Sequence, residues 1–409
     1  MDSKTKKKFA LTDKRYVVPF VLITTLFFMW GFARAILDVL NKHFQDTLDL
    51  TIAESAWIQV TTYLGYFLMA IPAGIFINRY GYRQGVVLGL SLFGLGALAF
   101  IPATALHLSA PFYAFLAALF VIGCGLTFLE TAANPYVTEL GPRETSSSRL
   151  NLSQTFSGMG CFMATLLVGL FLFREGSESN DVAIPYGIMG ALVLVIALIF
   201  TRVRLPEIAH DNEEQAGLSN GLLLVLKKKW FAFGLLALLC YEVAEISINS
   251  YFVNFVTGTG WMTKQDASLV VTLALVIFMA GRFIGSAIML FVRAEIMLLC
   301  CAVGTVACMI LTMLDMGTVS LIALIATYLF EAIMFPTIFS LAVRGLGSLT
   351  KSAGSLLMMT PIGGCAFLLM AYVADMSKEH PSLPFIIPMT GFAVVMVYAT
   401  LLSMRKQTD

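Results

Sequence analysis

Residues 112–135 read FYAFLAALFVIGCGLTFLETAANP, and this stretch decides the fold. No charged residue precedes Glu130 within it, and about 20 apolar residues suffice for one helix to cross the hydrocarbon core of a bilayer. Glu130 stands four residues before Asn134-Pro135, where the missing proline N–H frees a backbone carbonyl and permits a local bend. The stretch therefore predicts a membrane-spanning helix that carries an acid at depth.

The apolar character of this stretch extends over the whole chain. Hydrophobic residues make up 58% of the 409 residues, charged residues make up 12%, and the mean hydropathy is +0.85. Such a composition cannot be covered by a soluble surface. It predicts an all-α membrane protein of about twelve transmembrane helices. The apolar runs lie at residues 16–40, 55–78, 84–105, 110–138, 149–173, 183–203, 230–256, 267–291, 295–315, 319–343, 352–374 and 382–403.

Lysines and arginines are distributed unevenly over the predicted loops. If the N-terminus lies inside, the outer side receives only Lys42, Arg174, Lys264 and Lys378, and nearly all other basic residues lie inside. Basic loops stay preferentially in the cytoplasm. We therefore expect a multi-pass protein of the cell (inner) membrane with both termini cytoplasmic. The polar N-terminus and the long first apolar run do not fit a cleavable signal peptide.

The longest polar stretch runs from Arg204 to Lys229 and separates the sixth predicted span from the seventh. Its composition is typical of a cytoplasmic linker. We expect an N-terminal six-helix bundle over residues 1–203, a linker over 204–229 and a C-terminal six-helix bundle over 230–409. Transporters built from two repeats bind their substrate near the membrane midplane, where the halves meet.

Motifs for covalent chemistry are absent from the sequence. It contains no Walker motif, Gly-rich dinucleotide loop or G-x-S-x-G elbow, so we expect neither an enzyme, nor a cofactor, nor a nucleic-acid partner. The cysteines lie in predicted spans without CxxC or Cys/His spacing, and we interpret them as small hydrophobic residues rather than metal ligands.

Charged side chains inside the predicted spans point to function. A charge in the bilayer core costs roughly 3 kcal/mol or more, so each must face the protein interior or a water-filled path. We discount Arg282, which lies near a predicted cytoplasmic helix end, so most of the acids lack a basic partner. Removal from water disfavours a charged carboxylate, so such acids can take up and release protons. We expect proton coupling, with sodium coupling as the alternative. The charged residues are Arg34, Asp38, Glu130, Glu242, Glu245 and Glu331.

Several of these acids also have a structural interpretation. Asp38 lies in the outer half of the first span and is compatible with a helix end in contact with water. Glu242, Glu245 and Asn249 form a stripe at i, i+3 and i+7 on one helix face, which also fits a hydrogen-bond network between helices. The same holds for Glu331.

Motifs in both halves resemble one family of transporters. Residues 74–83, GIFINRYGYR, are similar to the short basic loop of the major facilitator superfamily, with Asn78 in place of its usual Asp. Within that superfamily, five runs resemble the fucose:proton symporter family. These are Trp30-Gly31, LDVL at 37–40, LETAANP at 129–135, RLNLSQTF at 149–156 and FPTIFSL at 335–341.

The resemblance implies a sugar transporter driven by protons. The positions matching Asp38 and Glu130 are then the essential acids, and those matching Trp30 and Gln154 line the sugar cavity. Hydroxyl-rich ligands also require donors, acceptors and an aromatic face. The side chains that can supply these are Trp30, Tyr63, Asn151, Gln154, Glu242, Glu245 and Asn249.

Three positions depart from the fucose symporter pattern. Arg34 stands where an uncharged amide is expected, Asn249 where an aromatic stacking residue is expected, and Ser157 where an amide is expected. Arg34 either pairs with Asp38, which would leave proton carrying to Glu130, or binds an anionic substrate.

These residues predict a monomeric, proton-coupled importer of a fucose-like or hexose-like monosaccharide. Two alternatives remain open. One is a symporter for an anionic sugar such as a uronate, and the other is a proton-coupled exporter of other small molecules. A channel or sensor would not accumulate substrate against a gradient.

Overall fold

The computed structural model describes residues 10–47, 52–105, 111–172, 183–203, 218–377 and 379–405. The described residues contain helices and no β-strand, as the sequence predicts. The N-terminal half contains α1 (Val17–Thr47), α2 (Ile52–Leu98), α3 (Phe100–Ala105), α4 (Pro111–Glu139), α5 (Ser146–Leu172) and α6 (Ala183–Arg202).

The C-terminal half has the same order of spans and more interruptions. It contains α7 (Leu218–Leu226), α8 (Lys229–Gly258), α9 (Lys264–Ile288), α10 (Ala294–Met313), α11 (Thr318–Glu331), α12 (Met334–Val343), α13 (Thr350–Leu357), α14 (Phe367–Met376) and α15 (Ile386–Met404). Helix α7 lies inside the predicted linker, whose residues 204–217 fall outside the described part of the chain.

The prediction of twelve membrane-spanning helices is confirmed. Nine stretches of the described residues are long and apolar enough to cross a membrane, and one of them, Val60–Ala103, holds the second and third predicted spans. Gly81 separates these two spans with a φ of 87°, a left-handed conformation that favours glycine. Helix α5 and the interrupted pair α13 and α14 supply the fifth and eleventh spans.

The helices of each half pack on one another and form a six-helix bundle. In the first bundle α2 packs on α4 and α6, and α1 packs on α5. In the second, α15 packs on α8 and α10, and α10 packs on α11. The bundles meet through α5, which packs on α9 and α12, and through α13, which packs on α2 and α4.

Glycines permit some of the closest helix contacts. A Cβ at Gly160 would collide with the backbone carbonyl of Phe28, and a Cβ at Gly31 would collide with that of Ser157. Helices α1 and α5 can therefore approach to this distance only because both positions lack a side chain.

The tenth span, Thr318–Val343, has a two-residue break in its helix where it crosses the interior, although both residues keep right-handed backbone angles. Helix α11 ends at Glu331 and α12 begins at Met334. In a continuous helix the N–H of residue 336 would donate to the carbonyl of Ala332, but Pro336 has no N–H and its ring crowds that carbonyl. Irregular backbone at membrane depth occurs where protein buries it or where it lines a cavity. The break therefore marks this level of the molecule as a candidate site.

Candidate functional site

Glu130 lies on α4 and is buried, with 6% of its surface exposed. The hydroxyl of Tyr66, on α2, donates a hydrogen bond of 2.5 Å to its Oε1. A phenol hydroxyl that donates to a carboxylate stabilises its charged form, because the hydrogen bond replaces one that water would otherwise supply. Tyr66 was not identified from the sequence, although its hydroxyl is hydrogen-bonded to Glu130.

Gln154 and Asn134 connect this acid's helix to the second bundle. Gln154 Nε2 donates to Asn134 Oδ1 at 3.2 Å, and Asn134 Nδ2 contacts the sulfur of Met358 at 3.4 Å. Gln154 lies on α5, and Met358 follows directly after α13. An amide predicted to bind sugar is therefore buried between the bundles in this conformation.

The two aromatic candidates, Trp30 and Tyr63, have different surroundings. Trp30 is buried against Phe27, with the ring centroids 4.0 Å apart. Tyr63 is half-buried, and its Cε2 would lie 3.6 Å from a Cβ at Gly364 in the second bundle. Ser157 is buried where Gly31 packs against it, so it lies beside the backbone that carries Trp30.

Asn151 belongs to a layer of polar contacts that joins the two bundles. Its Nδ2 donates to Thr337 Oγ1 at 3.0 Å, and its Oδ1 has no hydrogen-bond partner among the described residues. Nearby, the hydroxyls of Ser147 and Ser340 are 2.6 Å apart. In this conformation Asn151 holds the bundles together and does not line an open cavity.

The predicted stripe on α8 changes its exposure steadily along the helix. Glu242 is buried, Glu245 is half-buried and Asn249 is exposed. Gly363 lies against the buried end, where its Cβ would be 3.3 Å from Glu242 Cβ. The stripe therefore runs from the packed interior to accessible space, as one wall of a cavity would.

Glu331 and Arg282 lie together at the break in the tenth span. Glu331 is 0% exposed, and neither of its carboxylate oxygens has a hydrogen-bond partner among the described residues. Arg282 Nε donates to the carbonyl of Ala332 at 2.7 Å, and its Nη1 lies 3.5 Å from the carbonyl of Gln154. Its guanidinium also lies over the ring of Phe278, 4.5 Å from the centroid.

Our dismissal of Arg282 as a helix-end residue is wrong. It stands six residues before the end of α9, which at 1.5 Å per residue is about 9 Å from that end. Its side chain is buried and satisfies the carbonyl that Pro336 leaves free. The second bundle thus contains a buried cation beside its buried acid.

Arg149, the first residue of the RLNLSQTF run, has a structural role that the sequence did not reveal. It is completely buried, and its guanidinium donates to the carbonyls of Val137, Thr138 and Pro142 at 3.0, 2.7 and 2.9 Å. The last carbonyls of a helix have no partner within the helix. Arg149 supplies donors at the end of α4 and so fixes α5 against the helix that carries Glu130.

Arg34 and Asp38 lie on α1, but their side chains are outside the described residues. The choice between their mutual pairing and substrate binding by Arg34 stays a prediction. All seven cysteines are free thiols. No group of three or more His, Cys, Asp or Glu side chains that could hold a metal ion occurs in the part of the chain that the structure describes.

Two transporters are similar in sequence to this chain over nearly its whole length. The chain is 34% identical to the L-fucose-proton symporter of Escherichia coli (strain K12), over 97% of this chain and 95% of the relative. It is 32% identical to the glucose/galactose transporter of Brucella abortus, over 95% of this chain and 94% of the relative.

A solved structure matches the fold over nearly the full length. The crystal structure of FucP, a Major Facilitator Superfamily transporter in the outward conformation, aligns with a TM-score of 0.86 and 32% identity, over 96% of this chain and 100% of that chain. Residues 22–368 match the family described as the Major Facilitator Superfamily. The relatives are membrane transporters, which confirms that the chain is not an enzyme. The chain belongs to the Major Facilitator Superfamily and, within it, to the fucose:proton symporter family.

Proposed function

We infer that this protein is a proton-coupled symporter that imports a monosaccharide by alternating access. The observation that carries the inference is Glu130, a buried acid that accepts a hydrogen bond from Tyr66 and lies within the family's LETAANP run. The named relatives, an L-fucose-proton symporter and a glucose/galactose transporter, support the substrate class.

We propose that the conformation described here is closed on the cytoplasmic side. The polar layer supports this, because Ser148 Oγ donates to the carbonyl of Ser286 at 2.6 Å and Ser147 contacts Ser340 across the same boundary. The basic loops on this side support a cytoplasmic assignment for it and for both termini. Substrate then enters from the opposite side, toward which the α8 stripe becomes exposed.

The cycle follows from the cost of moving a bare charge into a dry interior. Asp38 and Glu130 bind protons from the outside, and sugar binds among the amides, carboxylates and aromatic rings between the bundles. Neutralised acids let the bundles rock at low cost, whereas an uncompensated charge would oppose closure. Opening of the polar layer releases sugar and proton inside. We propose that sugar contacts Trp30, Arg34, Tyr63, Glu242, Glu245 and Asn249, and that Asn151 and Gln154, which are packed between the bundles here, reach it once the bundles move apart.

The surroundings and boundaries of the protein belong to the same proposal. Helix α6 exposes Ile188, Leu192 and Leu198, and a continuous apolar surface of this kind fits contact with lipid. We place the bundles at residues 1–203 and 230–409 with a linker between them, and propose a monomer in the inner membrane.

Uptake into proteoliposomes tests the proposal. Wild-type protein is compared with Glu130→Gln, with and without an inward pH gradient, on labelled neutral hexoses, fucose and uronates. We expect the gradient to drive accumulation of a neutral sugar, and Glu130→Gln to abolish accumulation while exchange stays measurable.

Each other outcome points to a different account. Selective accumulation of a uronate would indicate that Arg34 binds the substrate's carboxylate. Proton-driven accumulation of the sugar in the lumen of inside-out vesicles would favour an exporter. No gradient-dependent accumulation of any sugar by the wild type would contradict the proposal, and normal accumulation by Glu130→Gln would remove Glu130 from the mechanism.

A further inference from the structure

The second bundle repeats the acid-and-proline spacing of the first. Glu130 precedes Pro135 by five residues on the fourth span, and Glu331 precedes Pro336 by five residues on the tenth, which is the fourth span of the second half. The halves of this superfamily are repeats related by an axis along the membrane normal. The two acids therefore occupy corresponding places in the two bundles.

The surroundings of Glu331 make a permanent negative charge costly. It has no exposed surface, and neither oxygen accepts a hydrogen bond from a described residue. A buried carboxylate without donors is far less stable than the neutral acid. In this conformation the surroundings therefore favour the neutral, protonated side chain.

The groups around Glu331 act on its charge in opposite directions. The charged groups near it are Arg282 on α9 and Glu245 on α8, one of each sign. The Tyr241 hydroxyl, on α8, donates to the backbone carbonyl of Glu331 at 3.4 Å. The hydroxyl of Tyr328, on the acid's own helix, is buried and finds no hydrogen-bond partner within the described part of the chain. Neither phenol donates to the carboxyl group.

Arg282 contacts both bundles, so its position relative to Glu331 depends on how far apart the bundles are. Its Nε holds the Ala332 carbonyl of the second bundle, and its Nη1 lies near the Gln154 carbonyl of the first. Movement of the bundles apart at this level removes the Gln154 contact. The guanidinium group can then turn a donor toward the neighbouring carboxyl group and stabilise its charged form.

We propose that Glu331 is a second proton-binding residue of the transport cycle, placed in the C-terminal bundle opposite Glu130, with Arg282 as its positioning residue. The carboxyl group of Glu331 binds a proton in the conformation described here. It loses that proton as a free ion to the water that enters when the bundles part, and the Arg282 guanidinium compensates the charge that remains. This inference rests on the proposed proton-coupled sugar transport.

Sugar-dependent proton uptake tests the proposal. Proteoliposomes in lightly buffered medium receive labelled sugar, and a pH electrode and the label together give the number of protons moved per sugar. This ratio does not depend on how much of the protein is folded. Glu331→Gln cannot bind a proton, so we expect its ratio to fall by about one proton per sugar relative to the wild type.

Glu295→Gln is the matched control. Glu295 is also buried in the second bundle, but its Oε1 is paired with Arg344 Nη1 at 2.6 Å. Its loss lowers stability and leaves the ratio at the wild-type value. A merely structural role for Glu331 would give the same pattern as Glu295.

The remaining outcomes separate this inference from the proposed function. A wild-type ratio in Glu331→Gln overturns the inference and leaves the proposed function intact. No sugar-dependent proton uptake by the wild type overturns both. If Glu331→Gln does not fold, Glu331→Asp replaces it. A shifted pH profile of the ratio then supports the inference, and a profile identical to the wild type overturns it.

Discussion

The regions around Glu130 and Glu331 share a sequence spacing and differ in almost everything built on it. Helix α4 continues through Pro135 to Glu139, and its acid receives a hydrogen bond from Tyr66. The corresponding span breaks before Pro336, and its acid has no hydrogen-bond partner among the described residues. The difference teaches that a proline frees a carbonyl in both places, and that neighbouring side chains decide what the backbone then does.

Arg282 compensates the hydrogen bond that is missing at the break in the second region. A freed carbonyl in the membrane must find a donor, because an unsatisfied backbone group costs several kcal/mol there. The guanidinium group supplies that donor at Ala332, so this carbonyl keeps a hydrogen bond although Pro336 cannot donate one. The broken segment also brings the backbone carbonyl of Glu331 within 3.4 Å of the Tyr241 hydroxyl.

Replacing each proline by alanine breaks this comparison most directly. Pro336→Ala restores an N–H that competes with Arg282 for the Ala332 carbonyl, so α11 and α12 join into one helix. We expect unchanged or higher thermal stability, because a proline destabilises the interior of a helix by about 3 kcal/mol. We expect uptake to fall about a hundredfold, which is what a barrier raised by a similar amount would give. Pro135→Ala adds an N–H to a helix that already continues through this position, and we expect uptake to stay within about twofold. Uptake assays and melting curves of both variants check this, and a stable, fully active Pro336→Ala would contradict it.

Changing Arg282 to lysine tests the donor that satisfies the break. An ammonium group is a compact charge and cannot span the Ala332 and Gln154 carbonyls as the planar guanidinium does. We expect uptake to fall about tenfold and unfolding free energy to fall by about 2 kcal/mol, the usual value for a lost charged hydrogen bond. Full activity in Arg282→Lys would show that charge alone suffices at this position.

A methyl group added next to the break gives a smaller effect. A Cβ at Gly285 on α9 would press against the side chain of Ile333, within the broken segment, whereas a Cβ at Gly258 would meet nothing within 4 Å. We expect Gly285→Ala to lower the unfolding free energy by about 1–2 kcal/mol, as overpacking does. Gly258→Ala is the control and should melt with the wild type. Equal melting temperatures for both variants would indicate that the broken segment adapts freely.

Removing the hydroxyl of Tyr66 sharpens the other side of the comparison. Tyr66→Phe deletes one hydrogen-bond donor to Glu130, which makes the carboxylate less stable relative to the neutral acid. We expect the loss of this hydrogen bond to remove about 1.5 kcal/mol of stabilisation from the charged form of Glu130. The pH profile of uptake should then move toward alkaline values. Uptake rates across a pH series check the direction. An unchanged profile would mean that the hydrogen bond does not act on the transported proton.

The sequence predicted the fold better than the site. Long apolar runs, the basic loops and the polar stretch between the halves predict twelve spans, because the bilayer imposes their length and composition. The LETAANP and RLNLSQTF runs drew attention to Glu130 and Gln154. They did not identify Tyr66, because a tyrosine in an apolar helix has no pattern that reveals its partner.

The break and its cation were missed for a physical reason. Pro135 and Pro336 look alike in sequence, and only the tertiary structure shows which carbonyl finds a side-chain donor. Arg282 was misjudged because the sequence shows only its position near a helix end. It does not show that the side chain turns into the protein interior. Arg34 and Asp38 lie outside the described side chains, so their pairing remains a prediction.

One measurement tests most directly whether buried acids between the bundles carry the transported proton. Proteoliposomes holding wild-type protein or Glu130→Gln receive the transported sugar in lightly buffered medium, and the external pH is recorded. The account predicts an alkaline shift of the medium with the wild type. It predicts none with Glu130→Gln, because only sugar exchange remains in that variant and exchange moves no net protons through the other acids. An equal alkaline shift with both proteins would contradict it.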